Sequence, residues 1–122
     1  VNDGGGGAEF TVLCPLDAIP IPGSKGFALG RGETAREIFV VRDSGGLRAY
    51  ANACPHTGGP LDWTPDRFLT RDGKAILCAT HGALFRIDDG YCLRGPCAGK
   101  SLTPVPVAVK GGDIVLIGDL PR

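Results

Sequence analysis

The chain has no methionine, one tryptophan and only two histidines in 122 residues. Neither charge is in surplus, with Lys plus Arg and Asp plus Glu at 13 each. Without a basic field there is nothing to neutralise a phosphate backbone, so no nucleic-acid partner is expected. No run approaches the ~20 apolar residues that a membrane helix needs, so no membrane association is expected either. No charged segment followed by an apolar one opens the chain. That predicts a cytoplasmic protein without an export signal. The missing initiator methionine reads as processing or trimming of the first residues. Also lacking are ten residues of convincing helical periodicity, internal repeats, and a glycine fingerprint set between a strand and a helix.

What the chain does have is Gly and Pro, 20 and 10 residues, spread between short apolar runs. That punctuation is the habit of a loop-rich all-β domain. Residues 1–8, with four consecutive glycines, read as a flexible tail, and residues 9–122 as one domain. An apolar run at 10–13 ends at Cys14-Pro15, and Pro20 and Pro22 forbid a helix in the next segment. Thr34 to Glu37 has room for one helical turn at most. Residues 37–42 are rich in β-branched residues and apolar on both faces, which predicts a buried strand. Ser44-Gly45-Gly46 then turns it into a return strand at 47–51. Residues 67–70 and 75–78 flank Asp72-Gly73, a strong hairpin signal. Residues 84–87 meet another turn at Asp88-Asp89-Gly90. Val105, Val107 and Val109 alternate with Pro104, Pro106 and Ala108. Two prolines lacking N–H groups on one side predict an edge strand or a partly unpaired one. Gly111-Gly112 leads into the last strand at 113–117.

Five cysteines, at 14, 54, 78, 92 and 97, are an odd number, which argues against a secreted disulfide scaffold and for intracellular thiols with some ligating metal. Each histidine follows a cysteine closely, in Cys54-Pro55-His56-Thr57-Gly58-Gly59-Pro60 and in Cys78-Ala79-Thr80-His81-Gly82. Each group follows a predicted strand, so each lies on a loop, and the Asp72-Gly73 fold-back brings the loops side by side. Two thiolates and two imidazoles suit one tetrahedral zinc. Structural zinc sites, however, usually pair like ligands, whereas here each loop offers one of each with Cys first. That order suits two metals, each loop giving one ligand to each, as in the Cys2His2 ligation of a Rieske [2Fe–2S] centre. Gly58, Gly59 and Gly82 remove side chains where backbone N–H groups would approach bridging sulfides.

C-x-H followed by C-x-x-H-G resembles the Rieske [2Fe–2S] domain family, and the resemblance extends over about residues 10–118. It includes Gly95-Pro96-Cys97-Ala98-Gly99, where family members carry a proline-containing loop covering the cluster. It implies a Rieske-type antiparallel β-sandwich with a small cluster-binding subdomain of two loops. It also implies one [2Fe–2S] cluster, with Cys54 and Cys78 on one iron and His56 and His81 on the other through Nδ1. High-potential members add a cysteine to each loop, forming a disulfide, where this chain has Gly59 and Thr80. They also carry a Ser and a Tyr donating toward cluster sulfur, where this chain has Ala83 and Phe85. Fewer donors stabilise the added electron less, so a potential on the order of −150 mV is expected. Reduction leaves the site anionic, so its imidazoles should hold their protons more tightly. These features resemble the ferredoxins of dioxygenase systems.

The implied function is single-electron transfer from a reductase to a terminal oxygenase or similar acceptor, by a protein that is a monomer alone and not itself an enzyme. Both histidines belong to the cluster, leaving none for the mononuclear iron of an oxygenase. No nicotinamide or flavin fingerprint is present, so reducing power comes from a partner. The alternatives are the small Rieske subunit of a nitrite reductase-type complex, a zinc-held structural module, or a redox sensor, which would need an output domain. Cys14, Trp63 and Phe85 are read as packing. Cys92 and Cys97 are read as free thiols, with a minor redox role open to Cys97. Arg94 and Lys100 are read as solvated charges, with steering of an acidic partner as the alternative.

Overall fold

The computed structural model describes residues 10–29, 36–55, 61, 66–79, 82–97 and 99–117. Among them lie nine strands: β1 (Phe10–Pro15), β2 (Gly23–Leu29), β3 (Arg36–Asp43), β4 (Gly46–Ala51), β5 (Ala75–Cys78), β6 (Ala83–Arg86), β7 (Cys92–Arg94), β8 (Val107–Lys110) and β9 (Asp113–Ile117). Every pairing is antiparallel, in three sheets ordered β1-β9-β8, β2-β3-β4 and β5-β6-β7. No described helix is long and apolar enough to cross a membrane, which says nothing of strands.

The apolar run of β3 has no polar face because both of its faces are covered. Successive side chains of a strand point to opposite sides. Ile38 and Val40 enter one core with Cys14, Ile114 and Leu116, drawn from the β1-β9-β8 sheet. Phe39 and Val41 enter a second core with Phe68, Ile76, Phe85 and Cys92, shared with the β5-β6-β7 sheet. β3 is therefore the wall between a sandwich core and the core of a smaller subdomain. The Phe39 and Phe68 rings stack across that subdomain at 4.3 Å between centroids, 4° from parallel.

The turns form where their residue types demand. Ser44 and Gly45 make a two-residue loop closed by the Asp43↔Gly46 pair, with Asp43 Oδ1 accepting from the Gly45 N–H at 2.9 Å. Gly111 and Gly112 hold φ of 60° and 86°, the left-handed pair that a tight hairpin prefers. β8 lies at a sheet edge, as its flanking prolines require.

Two expectations need correction. Residues 67–70 form no strand: Leu69 makes one isolated bridge to Ile76, and the Phe68 ring beside it stacks on Phe39. Arg36 and Glu37 belong to β3, paired with Leu29 and Ala28, so no helical turn includes them; Thr34 and Ala35 lie outside the described residues. Gly23–Leu29, anticipated only as non-helical, is a seven-residue strand at a sheet edge, half-buried almost throughout. The tail assigned to residues 1–8 also lies outside the described residues.

Buried Tyr50 joins the middle sheet to the subdomain, its hydroxyl donating to the Ile87 carbonyl at 2.6 Å. Burial pushes its phenol up to about 12. A folded-state value above the unfolded one favours folding below pH ~10, and that contribution is lost as pH rises through about 12. Tyr50→Phe should cost about 1–3 kcal/mol, because it leaves a carbonyl unpaired. It should also remove this alkaline step, read as urea midpoints measured between neutral and high pH.

Candidate metal centre

Cys54 lies three residues beyond β4, and Cys78 is the last residue of β5. Neither forms a disulfide, both are almost wholly buried, and both belong to the subdomain core. The structure thus places the two predicted sulfur ligands in one core. The other two predicted ligands, His56 and His81, lie outside the described residues, as do Gly58, Gly59, Thr80 and Trp63.

A line of hydrogen bonds joins the two loops. The Asn52 N–H donates to the Glu37 carbonyl of β3 at 2.9 Å. Asn52 Oδ1 accepts from the Leu61 N–H at 2.8 Å, spanning the whole first loop. The Leu61 carbonyl then accepts from the N–H of Ala79, the residue directly after Cys78, at 2.9 Å. Asn52 is the one buried polar residue among those described, and Leu61 is fully buried beside it in the same region. Neither is marked by the sequence, because an Asn at a strand end usually signals nothing more than a turn. Asn52→Leu would leave the buried Leu61 N–H unpaired at a cost of about 1–3 kcal/mol. A urea midpoint unchanged by that substitution would show that the bond does not hold the loop.

The second loop closes on itself, with the Gly82 N–H donating to the Cys78 carbonyl at 2.9 Å. Gly82 has φ of 71°, so the backbone itself requires glycine there. The segment after β7 lies against this turn. Gly95 has φ of 110°, and a Cβ on it would stand 2.8 Å from the Ala83 Cα. The expected cover loop therefore rests on the exit of the second loop, although Ala98 is outside the described residues. Cys97, within that loop, is fully buried, and its Sγ lies 3.5 Å from Cys92 Sγ. Cys92 Sγ also lies 3.3 Å from the Arg94 carbonyl oxygen. Burial, then the neighbouring Cys92 and Cys54 thiols, push the Cys97 thiol up. Cys92 and Cys97 are free, as expected, and Phe85 and Cys14 are packing residues of separate cores. Leu93 and Arg94 at the end of β7, and Pro96 and Lys100 on the loop that follows, are exposed.

Two buried thiols at the ends of neighbouring loops are soft sulfur donors, suited to iron–sulfur or zinc. No three His, Cys, Asp or Glu side chains converge as a metal site among the described residues. The two thiols fit the sulfur donors that such a cluster takes from the protein.

The model of the Rieske [2Fe-2S] domain matches residues 9–116. The chain belongs to the Rieske [2Fe–2S] domain family, and the cofactor that this implies is a Rieske-type [2Fe–2S] cluster. Solved structures share its fold. The ferredoxin of carbazole 1,9a-dioxygenase from Nocardioides aromaticivorans IC177 is 23% identical with a TM-score of 0.67, over 90% of this chain and 98% of that one. A chain of the complex of reduced oxygenase and oxidized ferredoxin in carbazole 1,9a-dioxygenase is 22% identical with a TM-score of 0.69, over 93% and 96%. The putative NADH-dependent nitrite reductase small subunit from Mycobacterium tuberculosis is 21% identical with a TM-score of 0.63, over 94% and 98%. No curated protein matches the chain.

Proposed function

We propose that this chain is a Rieske-type ferredoxin, in which Cys54 and Cys78 hold one iron of the [2Fe–2S] cluster and His56 and His81 hold the other. The observation that carries the reading is the pair of buried thiols, on two loops joined through Leu61, in a chain of this family. When bound, the cluster takes up and releases one electron. The protein's part is to keep the sulfur ligands dry and fixed. Asn52 and Leu61 hold the first loop, Gly82 closes the second, and the loop at Gly95 covers the exit. Buried Phe85 brings no hydroxyl to this region, which supports a potential at the low end of the Rieske range.

The chain passes electrons between proteins and catalyses no reaction of its own. Exposed Leu93 and Pro96, with Arg94 and Lys100 beside them, offer a partner an apolar contact rimmed by positive charge. A reductase on one side and a terminal oxygenase on the other fit this role, and the likeness to a ferredoxin bound to its oxygenase supports it. A second reading, the small subunit of a nitrite reductase-type complex, is supported by the likeness to such a subunit. Isolation as a monomer favours the first, and isolation in a stable complex the second.

The test is elemental and magnetic. Natively prepared protein should be red-brown, contain iron and acid-labile sulfide in equal amounts, and give a rhombic EPR signal after dithionite reduction. The average g should be below that of an all-thiolate cluster. Colourless protein containing stoichiometric zinc would refute the proposal.

A further inference from the structure

We propose that the groove between β2 and β5 docks an extended segment of a partner protein that carries acidic and apolar side chains. That this partner exchanges electrons rests on the reading of Cys78 as a cluster ligand; the docking itself does not.

The groove encloses about 730 Å3 between residues 20–24 and the turn at 69–77. Its apolar lining is Pro20 and Pro22 with half-buried Leu69 and Leu77, and its charged lining is Asp66, Arg67 and Arg71. Asp66 is already engaged. At a φ of 68° it turns its carboxylate onto β2, where Oδ1 accepts from the Gly26 N–H at 2.8 Å and Oδ2 faces Lys25 Nζ at 3.7 Å. Asp72, close by, is engaged too, accepting from the Thr70 hydroxyl at 2.6 Å and the Lys74 N–H at 3.0 Å. Both arginines are exposed, and neither has a carboxylate partner among the described residues. They are the uncompensated charges of the groove, and a planar guanidinium matches a carboxylate through two parallel hydrogen bonds.

The backbone around the groove decides the mode of docking. The Gly26 N–H is taken by Asp66, the Thr70 N–H by the Ala75 carbonyl at 2.8 Å, and the Leu77 N–H by the Phe68 carbonyl at 2.9 Å. With these donors occupied a partner cannot add a strand here, so recognition falls to side chains. The cradle is preformed, which lowers the ordering needed on binding. Pro22 lies over Gly73, where a Cβ would come within 2.6 Å of its ring, and the Ser24 hydroxyl donates to the Asp66 carbonyl at 2.7 Å. Acidic and basic residues number 13 each, so the chain has no long-range field for a polyanion. Two arginines over an apolar floor suit a short acidic segment of a protein instead.

The groove also reaches the centre, because Ala79, which lines it, directly follows Cys78. β5 and β7 are opposite edges of one sheet, so the groove is a separate face from exposed Leu93 and Arg94 on β7. A carrier that meets two proteins can present a different face to each.

The test follows the fluorescence anisotropy of a labelled decapeptide alternating Glu with Leu, titrated with the cluster-loaded protein at low salt. Saturable binding that weakens as salt is added is expected. Arg67→Glu and Arg71→Glu should each weaken it about tenfold with the EPR signal unchanged. Lys110→Glu, an equal change of net charge on β8, should leave binding unaltered. A decapeptide alternating Glu with Ser, which needs no variant, should bind wild-type protein about tenfold more weakly. No saturable binding, equal weakening by Lys110→Glu, or equal binding of the serine peptide would overturn the inference. Tighter binding of polyphosphate or of phosphatidylserine vesicles, lost in Arg71→Glu, would also overturn it. Wild-type protein that binds the peptide but gives no Rieske signal would remove the electron-transfer reading and leave the docking groove standing.

Discussion

Cys78→Ala should leave the protein folded but without stoichiometric iron, and should abolish the rhombic low-g EPR signal. Cys78 ends β5 in the subdomain core, fully buried. There a cysteine that binds nothing behaves as a small hydrophobe, so Ala replaces its bulk at modest cost. Its effect on the centre should be large. Two irons sharing two sulfides need four protein ligands, and three cannot complete both. Because bound metal favours the folded state, the variant should also lose stability relative to the loaded protein, but not relative to the stripped one. Cys14→Ala is the control. It removes a buried thiol from the other core, beyond β3, and should retain iron and signal in full. Full iron and an unaltered signal in Cys78→Ala would mean that the second loop was assigned wrongly.

The parts legible in the sequence are those that need particular residue types. A Cys and a His in each of two loops stand out because few other uses require both, and glycine pairs stand out where φ must be positive. The uninterrupted apolar run of β3 is legible because a wall between two cores allows no polar face. β2 is not: its residues are half-buried, two are glycines, and it pairs only along one side, so no alternation develops. Residues 67–70 carry a strand-like pattern beside a genuine turn, yet only Leu69 pairs with β5, while Phe68 stacks on Phe39. The tie from Asn52 through Leu61 to Ala79 is the least legible of all. It is made by one side-chain oxygen and two backbone groups far apart in sequence, and backbone groups look alike at every residue. His56 and His81 lie outside the described residues, so their spacing and the family's ligation pattern carry their assignment.

The largest loss of stability should come from Phe39→Ala. The ring is fully buried, stacked on Phe68 and tilted at 43° against Tyr50 with centroids 5.9 Å apart. Removing a buried Phe side chain costs about 3–5 kcal/mol, through lost transfer energy and the cavity left behind. Against a total of about 5–15 kcal/mol for a typical domain, that is enough to bring a weak one near its unfolding threshold. Val40→Ala, one residue along, should cost less because fewer atoms are removed, and the cavity opens in the sandwich core instead. The pair separates the cores by function. Phe39→Ala should weaken cluster retention, since Cys54 and Cys78 share its core, whereas Val40→Ala should lower the urea midpoint with the EPR spectrum unchanged. Both should still unfold in one transition, because β3 supplies side chains to each core and neither core survives its loss. Two separate transitions in Phe39→Ala would show that the sandwich stands without the subdomain, and that β3 does not couple them.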